Sequence, residues 1–479
     1  MSMLKRAIFL FLVLAITAVA AAAQTRTDRP DVDDLTRRIE DLEQKVRLLT
    51  EELARRQSPT VTPPAAKPSE PDPATAKAVP LPQSEKDTPQ KRDLSVNVGN
   101  VKLTPYGTIY FNAFGNTRGT NNADVPLFAS TGGTGGMSAS LRQTRLGLKI
   151  EDAKVGKARL GAVVEADFFG GSPGIGIGEN FGLVRLRLAN IRLDWEKTGL
   201  TIGQDWMPFA PQSPVSLAAA AIPQMAAAGN NWARIPQIKI ERKFGSVSWQ
   251  GAVLAPQSGD SSSSGGFFLQ PNSGSTSGFP FFQSRLAYSG KNWFASKKNG
   301  SLGVSGHFGR VAAAAGPASM RYTDASWGLA ADWNMPLTDI VGITGEAFIG
   351  QGLGGFQAGV FQGVNPDFAR VQGNAATADG IRAITTRGGW LQVAVTPRMK
   401  GSKLGFYGTV GIDDPDDTDL RSVSSRDWRM RNLAFAGEVI YKFSPQFQMG
   451  IEVRRFDTQY RLSRRRTAEH LNLAFAYSF

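Results

Sequence analysis

Connections of alternating length are the feature that most restricts how this chain folds. From about residue 103 onward, runs of roughly 8 to 13 residues alternate apolar and polar side chains, as strands with one wet and one apolar face do. Short connections, such as 196–199 and 444–446, alternate with long ones, such as 206–235 and 352–384. A soluble sandwich has no reason to sort its connections in this way. An up-and-down membrane barrel has one, because its turns lie on one side of the membrane and its loops on the other.

The runs number about sixteen, which predicts an all-β, antiparallel up-and-down transmembrane barrel over residues 94–479. An even number of strands leaves both chain ends on the side of the short turns, which is the periplasm for a bacterial outer membrane. The last run fits this prediction, because Leu471, Leu473 and Phe475 share one face and Asn472 lies on the other. Beyond the N-terminus, no stretch reaches the roughly 18 to 20 apolar residues that a spanning helix needs.

Three segments precede the predicted barrel. Residues 1–23 have the pattern of a signal peptide, with two basic residues, an apolar run and four alanines; an uncleaved anchor is the alternative. Residues 24–57 carry apolar side chains at heptad spacing, which predicts an oligomeric periplasmic coiled coil rather than a single solvated helix, without fixing dimer or trimer. The heptad residues are Val32, Leu35, Ile39, Leu42, Val46, Leu49 and Leu53. Residues 58–93 are a linker rich in Pro, Ala and Lys.

Composition limits the classes of function. The chain has no cysteine, which excludes disulfides, thiolate metal sites and a cysteine nucleophile. Lys and Arg outnumber Asp and Glu by 54 to 41, so the partner should be anionic, and export favours lipid or solute over nucleic acid. The two histidines, His307 and His470, lie in no recognisable Ser–His arrangement. We therefore predict a protein that is not an enzyme and that binds no cofactor or metal.

Charged residues on the wet face of the predicted strands are the candidate pore-lining residues. Around Leu188 the alternation changes phase, which predicts a bulge near Ala189. Two readings are compatible: a ladder of ion pairs that stiffens the wall, and a basic lane that lowers the barrier for anions. The candidates are Arg142, Arg145, Lys149, Arg159, Glu165, Asp167, Arg185, Arg187, Arg192, Lys239, Arg285 and Arg454.

Three loops have unusual composition. The middle of loop 206–235 is small and apolar, so it either folds into the barrel or packs against a neighbouring subunit. An acidic cluster, which a solvated loop explains better than a divalent-cation site, consists of Asp413, Asp414, Asp416, Asp417 and Asp419. A basic group in the last loop is either solvated or in contact with lipopolysaccharide phosphates, and it consists of Arg461, Arg464, Arg465 and Arg466.

The order of signal, heptads, linker and barrel resembles that of the DcaP-like porins. Four motifs carry the resemblance: SLRQTRLGLK (140–149), EADFFG (165–170), RLRLAN (185–190) and GQDWMPF (203–209). They cover the first third of the barrel, and Asp205 and the Met207–Pro208 pair depart from the fourth motif. The resemblance implies a trimer in which inward arginines such as Arg142, Arg145, Arg185 and Arg187 guide dicarboxylate-like solutes.

The predicted function is passive diffusion of small, preferentially anionic solutes through an arginine-lined outer-membrane pore. A phosphate-selective porin is the alternative within transport, although the denser lysine cluster expected of its vestibule is missing. From a different class, the coiled coil allows a structural tether that contacts peptidoglycan. The predicted partners are further copies of this chain, outer-membrane lipid, lipopolysaccharide and small anions.

Overall fold

The structure is a computed structural model of the 479-residue chain. It describes residues 94–99, 101–171, 182–257, 274–291, 294–296, 298–315, 320–372, 375–378, 380–397 and 403–479. The predicted signal peptide (1–23), coiled coil (24–57) and linker (58–93) lie outside the described residues and stay predictions. Among the described residues, no helix has the length and hydropathy needed to cross a membrane.

Strands dominate the described residues, with one helical turn at Ala358–Phe361 and two short 3₁₀ turns. In the first half of the chain the strands are β1 (Val96–Val98), β2 (Val101–Thr120), β3 (Ala129–Ser140), β4 (Arg145–Val155), β5 (Ala158–Asp167), β6 (Arg185–Asp194), β7 (Thr198–Trp206), β8 (Arg234–Phe244), β9 (Val247–Leu254), β10 (Phe281–Gly290) and β11 (Gly300–Ala315). In the second half they are β12 (Met320–Pro336), β13 (Val341–Gln351), β14 (Val364–Asn365), β15 (Ala369–Gln372), β16 (Ala375–Ala378), β17 (Arg382–Ala383), β18 (Thr385–Val395), β19 (Leu404–Pro415), β20 (Arg429–Lys442), β21 (Phe447–Tyr460) and β22 (Arg464–Ser478).

The main sheet closes on itself as an antiparallel barrel. Each strand pairs with its neighbour in sequence, and β2 pairs with β22 to complete the ring. β3 and β4 together form a single barrel strand, because both pair with β2, and β1 is a short extension that pairs only with the start of β2. The barrel therefore has sixteen strands, which confirms the predicted number and fold class.

Alternation along each strand decides which side chains face the lumen. In β22 the inward residues Asn472, Ala474 and Ala476 are buried, whereas Leu471 and Tyr477 are exposed on the outer wall. An aromatic band runs round part of the outer wall near the short turns, as membrane barrels require where strands cross the lipid interface. Its rings, which pack in stacked, tilted or edge-to-face pairs, are those of Tyr441, Phe443, Phe447, Phe475 and Phe111.

Connections confirm the alternation, with two departures. The turn end of the barrel carries short turns such as 156–157 and 245–246, and the loop end carries long loops such as 207–233 and 352–384. At the loop end, however, β2 and β3 extend far into the predicted loop 115–137, and β21 and β22 are joined by residues 461–463 alone. These strands continue past the rim of the barrel as hairpins, because pairing there costs their polar and glycine-rich segments little free energy.

A break in the second barrel strand separates β3 from β4. Residues 141–144 form a turn in which the Thr144 N–H donates to the Leu141 carbonyl over 2.9 Å. The Thr144 hydroxyl accepts from the Tyr110 N–H over 3.1 Å, so a side chain replaces the ladder bond that the break removes. The break lets Arg142 and Gln143 leave the wall and reach loop residues.

Candidate functional site

Loop 207–233, here called the insert, lies inside the barrel. Its backbone N–H groups donate to side chains on the lumen wall: Phe209 to Gln283 Oε1 over 3.1 Å and Leu217 to Glu438 Oε1 over 2.9 Å. A buried backbone N–H needs a hydrogen-bond acceptor. These wall side chains provide the acceptors that a helix or a sheet would otherwise provide. The acceptors form what we call the anchoring face, which consists of Gln283 (β10), Ser305 (β11), Glu346 (β13), Gln392 (β18) and Glu438 (β20).

The far side of the insert is held in the same way. The Ser216 hydroxyl and the Gln224 amide each donate to Glu452 Oε2 over 2.6 Å. Gln143, released by the break between β3 and β4, accepts from the N–H groups of Ala220 and Ala221 over 2.7 and 2.9 Å. The insert therefore follows the wall from β10 round to the second barrel strand. Of the two sequence-based interpretations of this loop, the structure supports folding into the barrel.

Small residues allow this close approach. The insert is rich in alanine, and Gly229 adopts φ 101° with its Cα against the wall, where a Cβ would lie 2.1 Å from the Gly389 carbonyl oxygen. On the wall, a Cβ at Gly411 would lie 2.2 Å from the Ala228 carbonyl oxygen. Glycine is required at both places because a side chain would push the insert off the wall.

Loop 352–384 also turns inward and packs on the insert. The Phe356 ring lies 6.0 Å from that of Phe209 and 5.9 Å from that of Phe281, measured between centroids. The Trp232 N–H donates to the Phe356 carbonyl over 3.1 Å. Two loops thus share one apolar core within the lumen, which fixes the insert more firmly than hydrogen bonds alone.

Across the lumen, four of the predicted pore-lining residues come together. Arg187 contacts Glu165 at 2.6 Å and Asp167 at 2.9 Å, and Arg185 contacts Asp167 at 2.6 Å. Both carboxylates and Arg187 are buried, whereas the Arg185 side chain is 27% exposed. These contacts are the predicted cross-strand pairs between β5 and β6.

Arg234, which the sequence prediction missed, joins this group. Its guanidinium lies over the rings of Trp206 and Trp232, at 5.0 and 5.1 Å from their centroids, and its Nη2 shares the Ala221 carbonyl with Arg185. The Arg234 Nη1 atom is buried without a hydrogen-bond partner among the described residues. We call the whole group the arginine face, which consists of Arg185, Arg187, Arg234, Glu165 and Asp167.

Most other predicted pore-lining cations are in ion pairs. Their partners, with the N–O distances, are Asp124 for Arg142 (2.6 Å), Asp194 for Arg192 (2.8 Å), Asp205 for Lys239 (2.6 Å), Asp332 for Arg285 (2.7 Å) and Glu452 for Arg454. Lys149 lies 5.3 Å from the Tyr106 ring, Arg145 is half-buried opposite Asp167, and Arg159 is exposed at the turn end. The wall is therefore a ladder of ion pairs at these positions, and the role of these residues in guiding solute stays a prediction.

The predicted bulge in β6 exists but lies slightly earlier. Glu165 pairs with Leu188 and Ala166 with Leu186, so Arg187 is the extra residue, whereas the sequence placed the bulge near Ala189. Ion pairing explains the position, because bulging at Arg187 aims its guanidinium at both carboxylates of β5.

The acidic cluster is only partly the solvated loop that the sequence favoured. Asp413 is fully buried and accepts from the Thr386 hydroxyl and the Val360 N–H, and buried Asp419 contacts Arg382 at 2.7 Å. The bond from Asp419 raises the pKa of Arg382, and the Thr418 hydroxyl and N–H lower the pKa of Asp416. Two of these aspartates therefore fasten loops, and the described residues contain no cluster of three metal-ligating side chains.

Both histidines are buried in the lumen wall. His307 Nε2 lies 2.9 Å from the Ser326 hydroxyl, a contact that the sequence did not predict, but Ser326 is fully buried and also donates to the Gly352 carbonyl. The His307 ring packs on Phe281 and Phe356 at 4.7 and 4.9 Å. His470 lies 2.9 Å from Asn116. These contacts give both histidines structural roles in the wall.

A closed sixteen-strand barrel with an inserted loop and a charged lumen is the fold of an outer-membrane porin. Among solved structures, the chain is similar to the outer membrane channel DcaP of Acinetobacter baumannii, with a TM-score of 0.58 and 17% identity over 79% of this chain and 98% of that one. This similarity of fold confirms the resemblance that the motifs predicted.

Two further porins align at lower scores. The anion-selective porin from Comamonas acidovorans has a TM-score of 0.49 and 13% identity over 79% of this chain and 100% of that one. OmpF of Salmonella typhi in complex with daunomycin has a TM-score of 0.49 and 10% identity over 81% and 100%. No family model matches the sequence, and no curated protein matches it.

Proposed function

We propose that this protein is an outer-membrane porin through which small, preferentially anionic solutes diffuse passively. The arginine face is the observation that carries the proposal. It holds three guanidinium groups against two carboxylates, and the surplus group, Arg234, keeps a buried donor free of any partner among the described residues. In a low-dielectric lumen such a donor attracts an anion more strongly than it would in water.

Dicarboxylate-like solutes are the class that we propose. Arginine forks match the planar geometry of a carboxylate, and Arg185 and Arg234 lie close enough to share one carbonyl oxygen, so each could bind one end of a short dianion. The resemblance to DcaP-like porins, on the motifs that contain Arg185 and Arg187, supports the same class.

The proposed molecule is a homotrimer in the outer membrane with its coiled coil (24–57) in the periplasm. The turn end of the barrel carries the first described residues, and short turns face the periplasm in barrels of this kind. Mass measurement in detergent tests the assembly: three copies are expected, and deletion of 24–57 should lower the stability of the trimer. A monomer in the full-length protein would contradict this part of the proposal.

Ion selectivity in a planar bilayer tests the function directly. The full-length protein should conduct with a preference for anions, and Arg234→Gln should lower the anion-to-cation permeability ratio because it removes the surplus charge. Arg455→Gln, an exposed arginine on the outer wall, is the matched control and should leave the ratio unchanged. Cation preference, or absence of conductance, in the unmodified protein would overturn the proposal.

Solute preference is tested by current block. A short dicarboxylate added to one side should reduce the current through the unmodified channel at lower concentration than inorganic phosphate does, and the difference should shrink in Arg234→Gln. Stronger block by phosphate would favour the phosphate-selective alternative and contradict the proposed solute class.

A further inference from the structure

The outer wall of β18–β22 changes from apolar to basic toward the loop end. One row across the wall consists of exposed Leu391, Val410 and Phe435, with Arg455 next in register. Four residues nearer the loop end, the row of Arg431, Gln459 and Arg465 crosses β20, β21 and β22. A lipid interface has this order, with acyl chains against the apolar row and headgroups above it.

Three arginines of these rows point outward and lie within reach of one another. Arg431 and Arg465 are two strands apart, hence about 10 Å between backbones, and Arg455 lies about 13 Å below their row along the strand. Arg431 is exposed and forms no ion pair with any described residue. Their guanidinium groups can converge on one anionic group, because an arginine side chain is long enough to cover half of these separations.

Carboxylates on the same wall do not cancel the charge. Arg455 contacts Glu469 at 3.0 Å, with the two side chains 53% and 40% exposed, and Arg465 contacts Asp457. The exposed Arg455–Glu469 pair contributes little to stability, whereas Asp457 accepts from two nitrogens of Arg465; each arginine keeps further guanidinium N–H groups for a stronger acceptor. The adjoining turn adds exposed Arg461, and exposed Arg464 begins β22, so the patch keeps a net positive charge.

We propose that Arg431, Arg455 and Arg465 form a binding site for the phosphate groups of a phosphorylated outer-leaflet lipid, the lipid A part of lipopolysaccharide. Phosphate is the acceptor that arginine binds with two parallel hydrogen bonds, and the apolar row beneath accommodates acyl chains. A free solute anion gains nothing from contact with the apolar row, so the proposed occupant is a lipid. The site rests on the proposed outer-membrane location and is independent of anion conduction.

Lipid binding to the purified full-length protein tests the site. The probe is lipid A titrated in detergent micelles and followed by native mass spectrometry, compared with the same lipid after removal of its phosphates. The combined variant Arg431→Gln, Arg455→Gln and Arg465→Gln should bind phosphorylated lipid A at least about tenfold more weakly, because it removes three positive charges that attract the lipid phosphates. The matched control is Arg242→Gln, an exposed arginine of the turn end beside Phe244.

General charge attraction, apolar contact and free phosphate each give a different result in this titration. Equal loss of affinity in Arg242→Gln would show general charge attraction, and equal binding of dephosphorylated lipid would show apolar contact alone; either result overturns the proposal. Displacement of lipid A by an equal concentration of inorganic phosphate would make free phosphate the ligand and also overturn it. Ion selectivity of the combined variant should equal that of the unmodified channel, so failure of the anion-porin proposal would leave the lipid result standing.

Discussion

Two faces of the lumen use acidic side chains in opposite ways. On the anchoring face, Glu346 and Glu438 accept hydrogen bonds from backbone N–H groups of the insert. On the arginine face, Glu165 and Asp167 accept from the guanidinium groups of Arg185 and Arg187, and Arg234 lies beside these ion pairs with no carboxylate partner in the described part of the chain. The first arrangement holds a segment in place through hydrogen bonds to its backbone, whereas the second sets guanidinium groups against carboxylates and leaves the Arg234 Nη1 donor without a partner among the described residues. In the proposed function, the first face therefore holds the insert in the lumen and the second face sets the selectivity.

The largest expected change in the free energy of unfolding comes from removing one partner of a buried ion pair beside the anchoring face. Arg454 is 1% exposed and donates to Glu452, which in turn faces Glu438 in register. Arg454→Ala should lower the free energy of unfolding by about 3–5 kcal/mol, because it leaves buried carboxylates without a counter-charge. Urea unfolding in detergent, followed by tryptophan fluorescence, measures the change.

The neighbouring residue provides the control for this prediction. Arg455 points outward and its pair with Glu469 is exposed, so Arg455→Ala should lower the free energy of unfolding by about 0–1 kcal/mol. Similar losses for Arg454→Ala and Arg455→Ala would mean that the inward pair is not desolvated, and the contrast between lumen and outer wall would fail.

An intermediate effect is expected on the arginine face. Asp167→Asn removes a buried charge that accepts from Arg185 and Arg187, so the free energy of unfolding should fall by about 1.5–3 kcal/mol. The same change adds net positive charge to the lumen, and the anion-to-cation permeability ratio should rise. Asp194→Asn, whose exposed pair with Arg192 lies at the turn end, is the control. If both variants moved the ratio equally, total charge rather than the arginine face would set selectivity.

The smallest expected change in the free energy of unfolding distinguishes two roles of Glu438 on the anchoring face, as a hydrogen-bond acceptor and as a charge. Glu438→Leu leaves the Leu217 N–H buried without a partner and should lower the free energy of unfolding by about 1–3 kcal/mol. Glu438→Gln keeps an acceptor of the same size and should cost less than about 1 kcal/mol. Hydrogen exchange at the Leu217 amide should be faster only in the leucine variant. Fast exchange in the glutamine variant would show that charge, and not the hydrogen bond, holds the insert.

Sequence reasoning found the arginine face more easily than the anchoring face. Glu165, Asp167, Arg185 and Arg187 lie on neighbouring strands at matching alternation, so their pairing follows from local register. Arg234 was missed because it begins β8 at the end of the insert, where alternation no longer predicts the direction of a side chain. Its flanking tryptophans, Trp206 and Trp232, were the available signal.

The sequence by itself determined the barrel, its sixteen strands and the division of each strand into lumen and outer faces. These follow from the period of two in an extended chain and from the alternating lengths of the connections, both of which are local properties. Only the tertiary structure decided what fills the lumen. Ser216 and Glu452 are 236 residues apart, and they meet because the barrel closes and brings every strand to within reach of the insert. Contacts of that kind leave no trace in local alternation, so the insert and the donor of Arg234 had to be seen in three dimensions.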